Sequence, residues 1–334
     1  MKVLAIVESI GFGHAMRTLQ VLRQFEKNRW ETSAVASNQA AGFFTKNSIK
    51  VKDIPLSIEL KETEGRVDVN KTIENIKMSN VTAIARIGKY LEEERPDLVI
   101  VDTSVIGMMA ASVYKNIRKT PLIFIGTDNK MGTVQRQTVE QGARMIDKFV
   151  QGTADAYLVP DLPPPYAISE HNLAVNEQMR FIGPLTWSVN CKIPTKTAGI
   201  FLTEGKSGIG AEFPMPSGAI TATEKDYEKK FLSSEVVIHH GGHTTAMDCI
   251  LAEKPQVIIP IAGYKERINN GRKVEELGLG KMLLDRWLDS KTLAYAMEEA
   301  KTMKPALKRF AKYARSYRAA ESVYATGKKL TEQG

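Results

Sequence analysis

Short runs of apolar, mostly β-branched residues alternate along this chain with longer segments in which apolar positions recur at helical spacing. The runs that predict strands in the first half are KVLAIVES (2–9), TSAVAS (32–37), DLVIVD (97–102), LIFIG (122–126) and AYLVP (156–160). The intervening segments predict amphipathic helices, such as 14–28 with Leu19, Leu22 and Phe25 on one side. Near-continuous apolar strands separated by helices predict a parallel sheet that is covered on both faces.

Residues 161–197 interrupt this alternation. They contain three consecutive prolines in DLPPPY, a short strand-like RFIGPL and a polar connector, and this composition predicts a hinge between two domains. The alternation then resumes with the strand-like runs GIFLT (199–203), EVVIHH (235–240), QVIIPI (256–261) and KMLL (281–284). The chain closes with two helical stretches at about 290–303 and 305–331, of which the second is strongly basic.

The pattern therefore predicts an α/β protein with two doubly wound parallel sheets. We assign residues 1–183 to an N-terminal Rossmann-like domain and 184–197 to a linker. Residues 198–304 form a shorter C-terminal Rossmann-like domain in this prediction, and 305–334 form a closing helix that crosses back to the first domain. Ligands of such sheets bind at the carboxyl ends of the strands, and candidate functional residues are expected there.

Composition narrows the class of protein. Of the 334 residues, 43% are hydrophobic and 25% charged, which excludes a globally disordered chain. No apolar run reaches the ~20 residues that span a bilayer, and MKVLAIVESIGFGH fits a first strand better than a signal peptide. The only cysteines, Cys191 and Cys249, lie far apart, so we expect a reduced, cytoplasmic protein without a disulfide framework.

Net charge adds a preference for anionic partners. Lys and Arg number 46 against 38 Asp and Glu, which gives a formal charge of +8. Nucleic acid, phosphorylated small molecules and acidic lipid surfaces would all satisfy this preference. Charge alone does not choose among them.

Two candidate catalytic residues lie at strand ends of the first half. The first strand runs into IGFGH, where glycines permit a tight turn and His14 opens the next helix. A His near a helix N-terminus is biased towards the neutral imidazole that a general base needs. Asp102 ends the strand DLVIVD and would orient that imidazole. The alternatives are a purely structural turn at GFGH and a helix cap at Asp102, with Thr103 and Ser104 as competing caps.

The densest cluster of candidate ligand-binding residues is EVVIHHGGHTTAMDCILAEKPQVIIP (235–260). Its strand ends at His239–His240, a glycine pair turns the chain, and Thr244–Thr245 open a helix. Backbone N–H groups and hydroxyls at a helix N-terminus suit a phosphate or pyrophosphate. A metal site is disfavoured, because Gly241–Gly242 removes the helical spacing between His239 and His243. A purely structural turn stays an alternative.

Two more loops follow strands of the second half. Glu266, Arg267 and Asn270 come after QVIIPI, with a solvated first helical turn as the alternative interpretation. FLTEGKSGIG lacks the first glycine of a Walker motif, because Ile200 stands in its place. The glycine-rich loop from Gly205 to Gly210 nevertheless remains a phosphate-binding candidate.

These motifs together resemble those of GT-B-fold glycosyltransferases. The features that carry the resemblance are the two α/β halves, G-x-G-H after the first strand, and H-G-G followed by Thr and an acidic residue. The chain is most similar to the UDP-glycosyltransferases, including the bacterial enzyme that adds N-acetylglucosamine to the lipid-linked peptidoglycan precursor. The resemblance implies a cleft between two Rossmann-like domains, with a nucleotide-sugar donor on the C-terminal side and an acceptor on the N-terminal side.

The resemblance also implies roles for single residues. His14 matches the base that deprotonates the acceptor hydroxyl, and Asp102 matches its carboxylate partner. The predicted donor-binding residues are Gly13, Gly205, Ser207, Gly208, His240, Gly241, Gly242, His243, Thr244, Thr245, Asp248, Glu266, Arg267 and Asn270. The implied reaction is an inverting displacement at the anomeric carbon that needs neither a metal nor a cofactor besides the donor.

Within this set the resemblance separates three contacts. The turn at Gly241–Gly242, with His240 and the two threonines, would hold the diphosphate. Asp248 would bind the ribose. Glu266 and Arg267 would face the donor sugar, followed by Asn270.

The chain also departs from the family pattern. Residues 204–234 leave little room for the βαβ unit that the family usually places there. Thr244, Asp248 and Arg267 stand where the family commonly has Gly, Glu and Gln. An inactive nucleotide-sugar-binding relative is therefore one alternative, and a nucleotide-sugar epimerase, an activity that the same fold hosts, is the other.

The basic C-terminal stretch admits a further alternative, a contact with nucleic acid. We prefer an amphipathic helix that packs across both halves, with Leu307, Phe310, Tyr313 and Tyr317 inward, and we expect no nucleic-acid partner. A lipid acceptor, reached through peripheral contact with an anionic membrane, stays open as an interpretation of the same charge.

Overall fold

The computed structural model of the chain describes residues 1–9, 12–56, 62–63, 66–67, 78–129, 137–203, 218–221, 226–284 and 288–333. These residues form two parallel β-sheets, each covered by helices on both faces. The doubly wound α/β architecture predicted from the alternation of apolar runs is confirmed. In the described part of the chain, no helix is both long enough and apolar enough to cross a membrane.

The N-terminal sheet has seven parallel strands in the spatial order β3-β2-β1-β6-β7-β8-β9. They are β1 (Lys2–Val7), β2 (Glu31–Ala36), β3 (Lys50–Asp53), β6 (Leu98–Asp102), β7 (Leu122–Ile125), β8 (Ala156–Val159) and β9 (Met179–Phe181). A separate hairpin pairs β4 (Glu62–Thr63) with β5 (Arg66–Val67). The helices of this half are α1 (Gly13–Lys27), α2 (Asn38–Lys46), α3 (Met78–Glu94), α4 (Val105–Arg118) and α5 (Gln137–Thr153).

The order in which successive strands are added to this sheet reverses between β1 and β6, which are hydrogen-bonded parallel neighbours. Val7 near the end of β1 lies opposite Asp102 at the end of β6. A doubly wound sheet opens a crevice at such a reversal, because the helices leaving the two strands go to opposite faces. The start of α1 with His14 and the end of β6 with Asp102 therefore meet.

Alternate residues of the central strands enter two separate cores. Val3 and Val7 pack with Phe25 and Phe44 on the face covered by α1 and α2. Leu4 and Ile6 enter the core on the opposite face, under α3, α4 and α5. All are fully buried, and each such side chain contributes roughly 1.5–3 kcal/mol. This burial fixes the strand register, because a slip of one residue would exchange the two faces.

The C-terminal sheet has five parallel strands in the order β11-β10-β12-β13-β14. They are β10 (Ile200–Thr203), β11 (Ala219–Ile220), β12 (Val236–His239), β13 (Gln256–Ile258) and β14 (Lys281–Met282). The helices are α6 (Tyr227–Ser233), α7 (His243–Leu251), α8 (Lys265–Glu276), α9 (Ser290–Thr302), α10 (Lys304–Ala314) and α11 (Ala319–Gln333). The elements β11 and α6 lie within 204–234, the segment predicted to leave little room for a βαβ unit.

Two connections between the halves shape the cleft. Residues 161–173, which we call the strap, leave β8 and insert Leu162 and Ile168 into the core beneath α7 and α10 before returning to β9. At the C-terminus, α11 packs on the N-terminal half, where the Tyr324 ring contacts the Phe25 ring at 5.2 Å between centroids. The strap therefore belongs to one sheet by sequence and to the other half by packing.

Candidate active site

A cavity of about 460 Å³ lies between the two halves. Its N-terminal wall is formed by the start of α1 with His14 and Arg17, and by Phe43 of α2. Its C-terminal wall is formed by the ends of β10 and β12 and by the first turns of α7 and α8. The carboxyl ends of the central strands of both sheets therefore face one shared cavity, as expected for doubly wound folds.

His14 and Asp102 are in direct contact at the N-terminal wall. Nδ1 of His14 lies 2.9 Å from Oδ1 of Asp102. In the tautomer that carries a proton on Nδ1, His14 donates to the carboxylate, and Nε2 is then the nitrogen that can act on a ligand. The His14 side chain is 22% exposed, whereas Asp102 is completely buried. This is the arrangement of a general base with an orienting carboxylate.

Arg17, one turn along α1 from His14, completes this cluster and was not predicted from the sequence. Its Nε donates to Oδ2 of Asp102 at 2.7 Å, and its Nη2 donates to Oδ1 of the same carboxylate. Burial by itself would raise the pKa of Asp102, but the charge and hydrogen bonds of Arg17, together with His14, hold that pKa well below its usual range. Asp102 is therefore ionised at every physiological pH. The sequence signal that could have indicated Arg17 is its spacing from His14, since residues three apart share a helix face.

Three helix N-termini converge on the cavity, and none has a side-chain cap. The N-cap residues are Phe12 for α1, Gly242 for α7 and Tyr264 for α8. All three helices contribute first-turn residues to the cavity wall. The uncapped N–H groups and the positive ends of the helix dipoles favour an anion in this space.

The starts of α1 and α7 touch across the cleft. A Cβ built on Gly13 would lie 2.7 Å from Oγ1 of Thr244, so only a glycine fits there at this separation. Gly13 is thus a packing contact between the halves as well as a cavity residue. Thr244 and Thr245 are half-buried and line the cavity beside it.

The turn between β12 and α7 depends on Gly241. This residue has a φ of +80°, and a Cβ there would lie 2.8 Å from the carbonyl oxygen of Arg267. Such a conformation and such a close approach both require glycine. The turn is thereby seated on the first turn of α8.

His240 precedes this turn and is neutral at physiological pH. Burial lowers its pKa to about 4, against a hydrogen bond between Nδ1 and the carbonyl oxygen of Ile259 at 2.9 Å. A proton on Nδ1 is required for that bond, because a carbonyl can only accept. His239 is also buried, and its ring nitrogens contact Gln256 and the backbone N–H of Gly241. His240 lines the cavity at the site predicted for a diphosphate.

His243 and Asn270, both predicted to bind the donor, make contacts within the protein. His243 also lines the cavity, but its Nε2 lies 2.9 Å from Oδ2 of Asp161 at the start of the strap, and both side chains are buried. Asn270 is completely buried and its Nδ2 donates to the carbonyl oxygen of Gly241 at 3.0 Å. Through these contacts the two side chains hold the turn between β12 and α7 in place.

Asp248 lies in the cavity wall but is heavily hydrogen-bonded. Ser188 Oγ and Thr186 Oγ1 donate to its Oδ1 at 2.6 and 2.5 Å. Burial raises the pKa of Asp248 to about 7, even though these hydroxyls favour the ionised form. Beside it, the rings of Trp187, Phe201, Tyr227 and Phe231 form a cluster, and the first three line the cavity.

The remaining predicted residues fall into two groups. Glu266 and Arg267 line the cavity at the start of α8, and the Arg267 guanidinium lies 4.8 Å from the centroid of the Tyr264 ring. Gly205, Ser207 and Gly208 lie outside the described residues. Among the residues that are described, no group of three or more His, Cys, Asp or Glu side chains could hold a metal ion.

The sequence of this chain is similar to those of glycosyltransferases. Residues 219–325 match the family model of the glycosyltransferase family 28 C-terminal domain. An uncharacterized glycosyltransferase of Methanosarcina mazei is 26% identical over 331 residues, covering 85% of this chain and 86% of its own.

Solved structures share the fold along almost the whole chain. The glycotransferase of kitacinnamycin superposes with a TM-score of 0.69 at 15% identity, covering 98% of both chains. MurG of Acinetobacter baumannii gives a TM-score of 0.63 at 12% identity, covering 98% of this chain and 99% of its own. The predicted GT-B fold and the predicted similarity to glycosyltransferases are both confirmed.

Proposed function

We propose that this chain, a glycosyltransferase of the GT-B type, transfers a sugar with inversion from a UDP-sugar to an acceptor hydroxyl and uses His14 as the base. The supporting observation is that His14, paired with Asp102, shares one cavity with three uncapped helix N-termini. A base on one wall and an anion site on the other match the two ends of a displacement at an anomeric carbon. The proposed reaction needs no metal and no cofactor besides the donor.

In this proposal the diphosphate of the donor binds at the start of α7. The helix dipole places roughly half a positive charge there, and N–H groups of the first turn have no partner within the helix. Thr244 and Thr245 add hydroxyl donors at the same position. These groups stabilise the negative charge that develops on the diphosphate as the bond to the sugar breaks.

The acceptor hydroxyl approaches from the N-terminal wall. Its oxygen attacks the anomeric carbon opposite the departing diphosphate, its proton passes to Nε2 of His14, and UDP leaves with the bonding electron pair. Asp102 stabilises the imidazolium that forms. Because Asp102 is already ionised and oriented by Arg17, no reorganisation of the carboxylate is needed during the reaction.

Glu266 and Arg267 are the residues that we assign to the donor sugar, and Asp248 is assigned to the ribose beside the aromatic cluster. His243 and Asn270 would act on the donor through the turn that they hold, since their side chains are bonded within the protein. Gly205, Ser207 and Gly208 keep their predicted role in donor binding.

The test combines binding and turnover. We expect UDP to raise the melting temperature of the purified chain, and a panel of UDP-sugars to release UDP when an acceptor is present. His14→Ala should lower kcat by about 10²–10⁴-fold and leave the Kd of UDP within about twofold. His171→Ala, which removes the exposed histidine bonded to Glu276 at 3.0 Å, is the matched control and should leave kcat unchanged.

Four results would contradict the proposal. Absence of both a thermal shift and UDP release with every donor and acceptor would reject a UDP-sugar transferase. Formation of a sugar isomer without an acceptor would identify an epimerase. Undiminished turnover in His14→Ala would show that His14 is not the base. UDP binding without any turnover would point to an inactive relative.

A lipid is the acceptor class that we propose to examine first, with peripheral contact to an anionic membrane. On α4, Met109, Val113 and Ile117 are 44%, 56% and 65% exposed, and their spacing places them on one helix face. Lys119 follows directly and is also exposed. Sedimentation with phosphatidylglycerol vesicles at low salt, lost at high salt and absent with phosphatidylcholine, would support this contact, and no sedimentation with either lipid would reject it.

A further inference from the structure

The turn at Gly241 is held from the other half of the chain by a buried asparagine of the strap. Asn172 is 1% exposed, and its Nδ2 donates to Oδ1 of Asn270 at 2.8 Å. Asn270 in turn donates from its own Nδ2 to the carbonyl oxygen of Gly241 at 3.0 Å. Two side-chain amides thus connect the strap to the turn proposed to bind the diphosphate.

Backbone carbonyls fix the direction of both amides. Gly241 O can only accept, so Nδ2 of Asn270 must face it and Oδ1 must face Asn172. The carbonyl oxygen of Glu266 also accepts from Nδ2 of Asn172, at 3.3 Å. The remaining atom of Asn172, Oδ1, accepts from Asn269 Nδ2 at 2.9 Å. Neither an aspartate nor an apolar side chain at 172 could make this set of bonds.

The orientation of one peptide plane follows from these contacts. In a trans peptide, the carbonyl of Gly241 and the N–H of Gly242 point in opposite directions. A carbonyl held towards the buried Asn270 therefore turns the following N–H away from Asn270, and Gly242, which carries that N–H, lines the cavity. Asn172 also bonds the first turn of α8 through Glu266, so it secures both elements that meet at the turn.

We propose that Asn172 is a positioning residue for the donor diphosphate, acting through Asn270 on the Gly241–Gly242 peptide. The inference rests on the proposed function, because it assigns the diphosphate to this turn. According to this proposal, Asn172, which belongs by sequence to the half of the chain opposite the donor site, controls the affinity for the donor without touching it. A buried amide that served packing alone would affect stability and not donor affinity.

The test is Asn172→Ala, with Asn176→Ala as the matched control. Asn176 lies four residues along, and its Nδ2 donates to Gln151 Oε1 at 2.9 Å, within the N-terminal half. We expect Asn172→Ala to raise the Kd of UDP and the KM of the UDP-sugar about tenfold, with the acceptor KM within about twofold. Asn176→Ala should leave all three within about twofold. Backbone amides of residues 241–245 should exchange hydrogen faster in ligand-free Asn172→Ala than in the control.

Each other outcome overturns the inference. A Kd of UDP in Asn172→Ala within twofold of wild type would do so, as would an equal loss in Asn176→Ala. If Asn172→Ala does not fold, Asn172→Ser, which leaves a smaller void, takes its place, and failure of both to fold would show that the side chain serves the fold. Wild-type protein that does not bind UDP would end the proposed function as well, whereas normal wild-type binding with unaffected variants ends this inference alone.

Discussion

Among single residues, Arg17 determines the charge state of the candidate catalytic carboxylate. We expect Arg17→Met to raise the pKa of Asp102, because burial would then act without an opposing charge. Asp102 would be protonated at the lower end of the assay range, so the acid limb of the kcat profile should move to higher pH. At pH 7, kcat should fall by roughly 10–10³-fold. The measurement is the pH dependence of kcat for wild type and variant.

The control for this prediction lies on the same helix. Arg23 forms an ion pair with Glu26 at 2.6 Å on the surface of α1. Arg23→Met should keep the wild-type profile, because this partly exposed pair has no contact with Asp102 and surface pairs contribute about 0–1 kcal/mol. If Arg17→Met gave the same profile as the control, Arg17 would have no part in the acid–base chemistry.

A second prediction concerns Asp248 and the dependence of the free energy of unfolding on pH. Its pKa is about 7 in the folded protein against about 3.9 for an unperturbed aspartate, so the folded state binds more protons between these values. The free energy of unfolding contributed by Asp248 therefore falls as pH rises from about 4 to about 7. The free energy of unfolding of Asp248→Asn, taken relative to that of wild type, should therefore rise by roughly 2–3 kcal/mol between pH 5 and pH 8. Urea unfolding at both values measures this difference, and parallel stability curves would contradict it.

The sequence predicted His14 and Asp102 but not Arg17 or Asn172, for a physical reason. His14 opens the helix that follows β1 and Asp102 ends β6, and the topology of a doubly wound sheet brings the carboxyl ends of these neighbouring strands together whatever the side chains do. Arg17 and Asn172 act through buried hydrogen bonds whose direction depends on packing. Arg17 lies in an ordinary amphipathic helix and Asn172 in a Pro-rich segment, and neither sequence pattern indicates which hydrogen bonds these side chains make.

At the scale of elements, the contact of α11 with the N-terminal sheet is tight enough to exclude one carbon atom. A Cβ on Gly327 would lie 2.5 Å from Cδ2 of Leu98 and 3.1 Å from Cζ of Phe25, both fully buried. Gly327→Ala should lower the free energy of unfolding by about 1–2 kcal/mol, because overpacking outweighs the higher helix propensity of alanine. Urea denaturation measures this change.

The same substitution has an opposite expected effect elsewhere. Gly88 lies inside α3, where no atom would come within 4 Å of an added Cβ. Gly88→Ala should therefore raise the free energy of unfolding by about 0.5–1 kcal/mol. Equal effects at both positions would show that α11 does not pack as described.

Elements with a strong apolar pattern were predicted and weak ones were missed. The buried strands and the long helices follow the alternation of the sequence. The strand β3, KVKD, has no fully buried side chain and no apolar run. The strand β11 has only two half-buried residues, so its existence depends on the neighbouring β10 and could not be inferred from its own sequence.

At the scale of the molecule, a buried pair links the strap to the C-terminal half. Asp161 accepts from the backbone N–H of Leu162 and of Ser169, and it pairs with His243. Asp161→Ala should lower the free energy of unfolding by about 3–5 kcal/mol, because it leaves these buried groups without a partner. Glu92→Ala, which breaks the exposed pair with Arg118, should leave the free energy of unfolding nearly unchanged, because solvent screens such a pair. Similar unfolding midpoints for the two variants would refute this account of the strap.

The path of the strap bears on how such molecules can be recombined. A chimera that joins the N-terminal half of one relative to the C-terminal half of another would be cut in the predicted linker, after residue 183. That cut would keep the strap with the N-terminal half, yet Leu162, Ile168 and Asp161 contact the C-terminal half. We therefore expect functional exchange of halves only when residues 161–173 travel with the C-terminal half, as a graft inserted between two strands of the foreign sheet.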